Sequence, residues 1–283
     1  MSTYPSPLPP APSRSTVITT LRAAGCVFAE DEAELVLAAA RTPADLAAMV
    51  RRRADGVPLE HVLGWAEFHG RRMAVDPGVF VPRRRTEFLV ERALALAAAS
   101  GGRAPRRRTV VVDLCCGSGA VGAALAAALG SVELHAADIE PAAVRCARRN
   151  LAAVGGEVYE GDLYAPLPGG LRGRIDLLVA NVPYVPTEEV GLLPPEAREH
   201  EPLVALDGGA DGLDVLRRVS REAARWLAPG GHLLVETSER QAERAVGTFA
   251  RAGLLPQVST SDEWYATVIA GTRPDEPRAS GDR

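Results

Sequence analysis

Apolar residues recur at helical spacing over the first part of the chain. Val17, Ile18, Leu21 and Ala24 form one stripe, Leu35, Val36 and Ala39 a second, and Leu46, Met49 and Val50 a third. Thr42 followed by Pro43 predicts a cap and first turn for the third helix. Residues 14–63 therefore read as a small helical bundle. Helical spacing is lost over 64–85, where Gly, aromatics and Pro accumulate, and this predicts a hairpin-like connector.

From residue 86 to 272 the pattern alternates between strands and helices. An apolar β-branched run predicts a strand at 109–114, and further strands are expected at 132–137, 157–160, 175–180 and 233–236, closed by a pair at 255–259 and 265–270. Helical spacing predicts helices at 121–129, 141–154, 213–227 and 241–252, with Pro229-Gly230-Gly231 as the stop after the third. The expected fold class is α/β, a doubly wound parallel sheet with ligands at the carboxyl ends of its strands. The Pro- and Ser-rich residues 1–13 and the polar residues 273–283 read as disordered tails.

Composition narrows the function more by exclusion than by assignment. Hydrophobic residues make up 47% of the 283 positions, enough for a sizeable core. The net charge of −4 argues against a broadly basic, nucleic-acid-gripping surface. All 32 basic residues are Arg. No apolar run is long enough to span a membrane, and residues 1–10 lack the features of a secretion signal, so a reduced cytoplasm is expected. The four cysteines, Cys26, Cys115, Cys116 and Cys146, include no C-x-x-C pair, so no metal site is expected.

Three strand ends carry the candidate cofactor chemistry. The first strand ends at Asp113 and runs into Leu114-Cys115-Cys116-Gly117-Ser118-Gly119 and then a helix. Glycines at such a turn let a ligand approach the backbone and aim a helix N-terminus at it. The loop matches neither the G-x-G-x-x-G fingerprint nor a P-loop, and a tight turn without a ligand is the alternative. The second strand ends at Asp138-Ile139-Glu140, where an acid suits ribose hydroxyls; the alternative is a cap for the helix opening at Pro141. The third ends at Asp162-Leu163, an acid for an adenine amino group and an apolar side chain for its ring, or else a solvated turn. As a set, these residues resemble the class I methyltransferase fold over 86–272, which implies S-adenosylmethionine as cofactor. Many relatives have Gly at the position of Cys115. Cys115 and Cys116 read as packing residues rather than nucleophiles.

The fourth strand ends in Asn181-Val182-Pro183-Tyr184, which resembles the N-P-P-Y loop of amino methyltransferases. An amide or aromatic amine nitrogen has a delocalised lone pair and is a poor nucleophile. The Asn181 amide oxygen and the Val182 carbonyl can each accept one of its N–H groups, and Tyr184 can pack on the flat substrate. Pro183 already biases Val182 away from helical conformation, so Val in place of the usual Pro keeps the carbonyl geometry.

Further segments sharpen the resemblance. Leu63-Gly64-Trp65-Ala66-Glu67-Phe68, Val81-Pro82-Arg83-Arg84-Arg85-Thr86-Glu87, Glu201-Pro202-Leu203-Val204-Ala205-Leu206 and Gly212-Leu213 resemble the HemK/PrmC family of protein-glutamine methyltransferases. That resemblance implies a protein substrate, the glutamine of the G-G-Q motif in peptide-chain release factors, and a substrate-recognition role for the N-terminal bundle. Three departures stand out. Arg85 occupies a position that is usually acidic, Ser238 replaces a Gly in Glu236-Thr237-Ser238-Glu239-Arg240-Gln241, and the closing Gly and Arg have no match in 261–265. Two other readings compete: methylation of an exocyclic amine in RNA or DNA, and a non-catalytic S-adenosylmethionine-binding subunit. The runs Arg51–Arg53, Arg83–Arg85 and Arg106–Arg108 suit RNA or an acidic partner, or simply solvated faces.

Overall fold

The computed structural model describes residues 12–100 and 108–275. Helices α1 (Arg14–Ala23), α2 (Ala29–Ala39), α3 (Pro43–Ala54) and α4 (Leu59–Leu63) form the N-terminal bundle. Ser13, expected in a disordered tail, instead caps α1, its hydroxyl accepting from the Thr16 N–H at 3.2 Å. The Thr42 hydroxyl caps α3 by accepting from the Asp45 N–H at 3.1 Å. Val17, Leu21, Val36, Met49 and Val50 fill a core of the bundle's own.

The connector contains strands β1 (Trp65–Phe68) and β2 (Arg71–Ala74), paired antiparallel across a two-residue turn. His69 and Gly70 both have positive φ, +50° and +68°, which matches the right-handed twist of the flanking strands. Val75, Val79 and Val81 then pack against Ala143 and Cys146 of the main domain.

Helix α5 (Glu87–Ser100) leads into the sheet: β3 (Thr109–Leu114), α6 (Ala120–Leu129), β4 (Val132–Asp138), α7 (Pro141–Leu151), β5 (Glu157–Glu160) and β6 (Ile175–Ala180). A short helix α8 (Pro195–His200), α9 (Asp214–Trp226), β7 (Leu227–Thr237), α10 (Ala242–Arg251), β8 (Leu255–Ser261) and β9 (Ala266–Thr272) complete it. The strand order is β5-β4-β3-β6-β7-β9-β8. Strands β3 to β7 are parallel, but β9 runs antiparallel between β7 and β8, so the sheet is mixed rather than wholly parallel as expected. The β8–β9 hairpin forces this, because two strands joined by a short turn cannot run the same way.

One face of the sheet is covered by apolar side chains of α5, α6 and α7, among them Leu89, Leu125 and Leu151. The other is covered by α9 and α10, with Leu216, Val219, Trp226 and Phe249 buried. Each such side chain contributes roughly 1.5–3 kcal/mol by burial.

Two sequence expectations need correction. Helix α5, with Leu89, Val90 and Ala93 buried on one side, was not among the predicted elements. The expected stop at 229–231 lies within β7, which begins at Leu227 directly after α9. The strand accommodates the glycines with a register shift opposite Ile175–Leu177. A Cβ on Gly231 would sit 2.6 Å from the Ile175 carbonyl oxygen, so glycine is required there by close strand approach rather than by a helix end.

Candidate active site

The sheet order reverses at β3, which has β4 on one side and β6 on the other. The carboxyl ends of these parallel strands therefore open a crevice, the usual ligand position of such sheets. A cavity of about 490 Å³ occupies it. It is lined by Asp113, Cys115, Cys116, Gly117, Ser118, Asp138, Ile139, Asp162, Leu163, Asn181, Val182, Pro183 and Tyr184.

Of the candidate residues, only Gly119 stands away from the cavity lining. Its φ is +78° and a Cβ there would meet Ala147 and Leu151 at 3.2 Å, so it serves the packing of α6 on α7. Gly117, at φ +55°, has nothing within 4 Å of where a Cβ would stand, and its backbone is open to the cavity.

The glycine loop is held by two acids. The Asp113 carboxylate accepts from the Gly122 N–H at 2.9 Å at the start of α6, and burial pushes its pKa up to about 7. Asp138 accepts from the Gly117 N–H at 2.8 Å with one oxygen and from the Glu140 N–H at 2.9 Å with the other. It is thus both a turn cap and a cavity wall, and each oxygen keeps a lone pair for a ligand. Burial raises its pKa against those two hydrogen bonds. Asp162 is ion-paired with Arg218 of α9, which also lines the cavity. Asn150 of α7 was not foreseen. Its amide N–H groups bond the carbonyls of Ser118 at 2.8 Å and Ala74 at 2.9 Å, tying the glycine loop to the hairpin.

Cys115 adopts φ +55°, the left-handed region that Gly takes without cost. Burial raises the thiol pKa of Cys115 and of Cys116, so neither is a thiolate nucleophile at neutral pH.

The Asn181 loop is built from four distant segments. The Asn181 amide N–H faces the buried Thr86 hydroxyl at 3.4 Å, which leaves the amide oxygen as the group without a hydrogen bond from the described residues. Gln241 donates to the carbonyls of Tyr184 at 2.9 Å and Asp211 at 3.0 Å. Its own carbonyl accepts from the Ser238 hydroxyl at 2.7 Å, an anchor that Ser238 supplies where a Gly would not. Gly208 and Gly212 press on the same loop: a Cβ at either would lie 2.6 Å from the Pro183 oxygen or 2.2 Å from the Tyr184 oxygen.

Most of the described arginines of the three runs are exposed, and Arg53 is the buried one, but three of them pair with carboxylates of the protein. Arg83 Nη2 donates to both oxygens of the buried Glu201 carboxylate at 2.6 and 2.7 Å, joining two segments that the sequence shows far apart. Arg85 pairs with Glu236 at 3.0 Å and also donates to the Tyr184 hydroxyl. Arg53 lies between Glu32 of the bundle and Glu196 of α8, each at 2.6 Å. Positions 106 and 107 fall outside the described residues.

The methyltransferase small domain family matches residues 76–192. A release factor glutamine methyltransferase from Geobacter sulfurreducens is 41% identical over 236 residues, covering 82% of this chain and 79% of that protein. The chain belongs to this methyltransferase family. The counterpart from Streptomyces coelicolor is 37% identical over 80% of this chain and 75% of its own length. A 4-amino-L-phenylalanine/4-methylamino-L-phenylalanine methyltransferase from Streptomyces pristinaespiralis is 38% identical over 75% of this chain and 71% of that protein. The chain is therefore a methyltransferase, with S-adenosylmethionine as its cofactor. The cavity suits that molecule. An open glycine backbone, acids at three strand tips and the apolar Ile139 and Leu163 line one wall, matching an amino acid, a ribose and a purine in the donor set. No described helix is long and apolar enough to cross a membrane.

Proposed function

We propose that this chain methylates the side-chain amide nitrogen of a protein glutamine, the one in the G-G-Q motif of a peptide-chain release factor. The observation that carries this reading is the orientation of Asn181. Its N–H is turned to Thr86, which leaves its oxygen as an acceptor, and Asn181 and Val182 both line the cavity. Two acceptors at that spot match the two N–H groups of a primary amide.

When bound, S-adenosylmethionine supplies an electrophilic methyl group. Asp138 would hold the ribose hydroxyls, and Asp162 and Leu163 the adenine. The backbone of Cys115, Cys116, Gly117 and Ser118, braced by the buried Asp113, would hold the methionine part. Asn181 and Val182 hold the acceptor nitrogen in line and stabilise the positive charge that grows on it in the transition state. Tyr184 packs on the flat amide, and Pro183 fixes the loop that presents it.

The N-terminal bundle recognises the protein acceptor in this reading. Its support is position: Pro58 and Glu60 line the same cavity, and Arg53 ties the bundle to Glu196 on the rim. The test is methylation of purified release factor with labelled cofactor, followed by mass spectrometry of the modified residue. Wild type is expected to label the G-G-Q glutamine. Asn181→Ala should lose about 100-fold or more in rate, with cofactor affinity within a few-fold. The Streptomyces pristinaespiralis relative makes a free aromatic amino acid an informative second acceptor. Methylation of that compound or of RNA, with none on the release factor, would overturn the glutamine assignment.

A further inference from the structure

A second cavity of about 360 Å³ lies beside the first, lined by Glu236, Ser238, Thr260, Ser261 and Asp262 among others. Arg85 and Tyr184 line both cavities, so their side chains form the wall between them. Glu236, at the carboxyl end of β7, is only 2% exposed, and one of its oxygens, Oε2, takes no hydrogen bond from the described residues. The other, Oε1, accepts from Arg85 Nε at 3.0 Å and from the Tyr184 hydroxyl at 3.3 Å. Arg85 Nη2 donates to the same hydroxyl, and the guanidinium carbon lies 5.7 Å from the ring centroid.

The arrangement is a closed triangle. A buried carboxylate needs a cation, and Arg85 supplies it. The planar guanidinium fork then presents a second N–H in a fixed direction, which an ammonium could not do as rigidly. That N–H is spent on the phenol. Burial opposes the charge on Arg85, but Tyr184 and Glu236 outweigh it and hold its proton more tightly than water does.

We propose that Arg85 is a positioning residue of the acceptor site: anchored on Glu236, it fixes the Tyr184 ring as the wall that sets the width of the slot facing Asn181. The inference rests on the reading of the Asn181 loop as the acceptor site. Tyr184 is held at its carbonyl by Gln241 and at its hydroxyl by Arg85 and, more loosely at 3.3 Å, by the Glu236 that Arg85 itself anchors, so backbone and ring tip are both pinned. Without Arg85 only the 3.3 Å bond to Glu236 holds the tip, the ring gains freedom towards the second cavity, and the acceptor loses a fixed face of its slot.

The test is a double-mutant cycle of Arg85→Ala and Tyr184→Phe, read as kcat and KM for the acceptor that the wild type methylates. Arg85→Ala is expected to lower kcat/KM by about 10- to 100-fold, the usual cost of about 1 Å of misplacement, with cofactor affinity unchanged. In the Tyr184→Phe background, which lacks the hydroxyl, the same change should cost several-fold less. Effects that multiply independently would overturn the proposal, since Arg85 would then not act through the Tyr184 hydroxyl. If Arg85→Ala does not fold, Arg85→Lys keeps a cation on Glu236, and the same cycle is run with it. A readout without any acceptor separates this from the functional reading. Fluorotyrosine is incorporated and the Tyr184 resonance assigned by its loss in Tyr184→Phe. It should shift and broaden in Arg85→Lys, and an unchanged resonance would sink the proposal even if release factor is methylated.

Discussion

Gly212→Ala gives the sharpest test of how the Asn181 loop is held. Gly212 has φ +74°, and a Cβ there would lie 2.2 Å from the Tyr184 oxygen and 2.4 Å from Gln241 Nε2. Ordinary contact begins near 3.4 Å, so the atoms must separate by more than 1 Å. The left-handed backbone alone costs about 1–2 kcal/mol with a Cβ. Displacing the Gln241 amide also breaks its bonds to the Tyr184 and Asp211 carbonyls, at about 1 kcal/mol each. The stability loss should therefore be about 3–4 kcal/mol, measured by urea unfolding. A shift of about 1 Å in the loop should lower kcat/KM by about 100-fold. Cofactor affinity should hold within a few-fold, because Gly117 and Asp138 belong to the ends of β3 and β4 rather than to the Tyr184 loop. Gly253→Ala is the control: φ there is +78° and nothing lies within 4 Å of a Cβ. It should show the backbone cost alone and keep its activity. If the two variants behave alike in rate, the claim that Gly212 shapes the Tyr184 loop is wrong.

Three further outcomes are expected. Asp138→Ala should weaken cofactor binding by about 1–3 kcal/mol, and calorimetry giving wild-type affinity would remove Asp138 from the site. The Asp113 carboxyl binds a proton more tightly folded, near pH 7, than unfolded, near 3.8. Its contribution to stability is therefore greatest below about pH 4 and falls as pH rises towards 7. Asp113→Asn should flatten that slope in denaturation curves taken across the window, and parallel curves would refute the assignment. Cys115 at φ +55° sits where Gly is unstrained, so Cys115→Gly should keep activity and gain about 1 kcal/mol or less once its added chain entropy is offset. Cys115→Val, whose branched side chain resists that conformation, should lose about 2 kcal/mol in thermal unfolding, and equal stability of the two would contradict the strain.

Much of the fold was written in local periodicity. The strands at 109–114, 157–160 and 175–180 match the observed bounds; the first and third are central, and a strand buried on both faces needs an apolar run. The hairpin-like connector, the Thr42 cap and the order of motifs along the chain were equally local. Helix α5, which follows the connector, was assigned no element, and the glycines of β7 looked like a helix stop, because a glycine needed for close strand approach reads the same as one that ends a helix. The reversed β9 was open until its pairing with β7 was seen, since apolar runs carry no direction.

The sequence alone determined that acids, a glycine turn and an Asn-Val-Pro-Tyr segment stand at successive strand ends, because chain order and strand register put them there. Only the tertiary structure decided what holds them. Thr86 turns Asn181, Gln241 and Gly212 pin Tyr184, Arg83 closes on Glu201, and Arg218 meets Asp162 across 56 positions of chain. It also decided that Arg53, Arg83 and Arg85 serve carboxylates of the protein itself. A charge has no address in the sequence: its partner is fixed by burial and by the packing of elements far apart in the chain, and both arise only when the sheet closes.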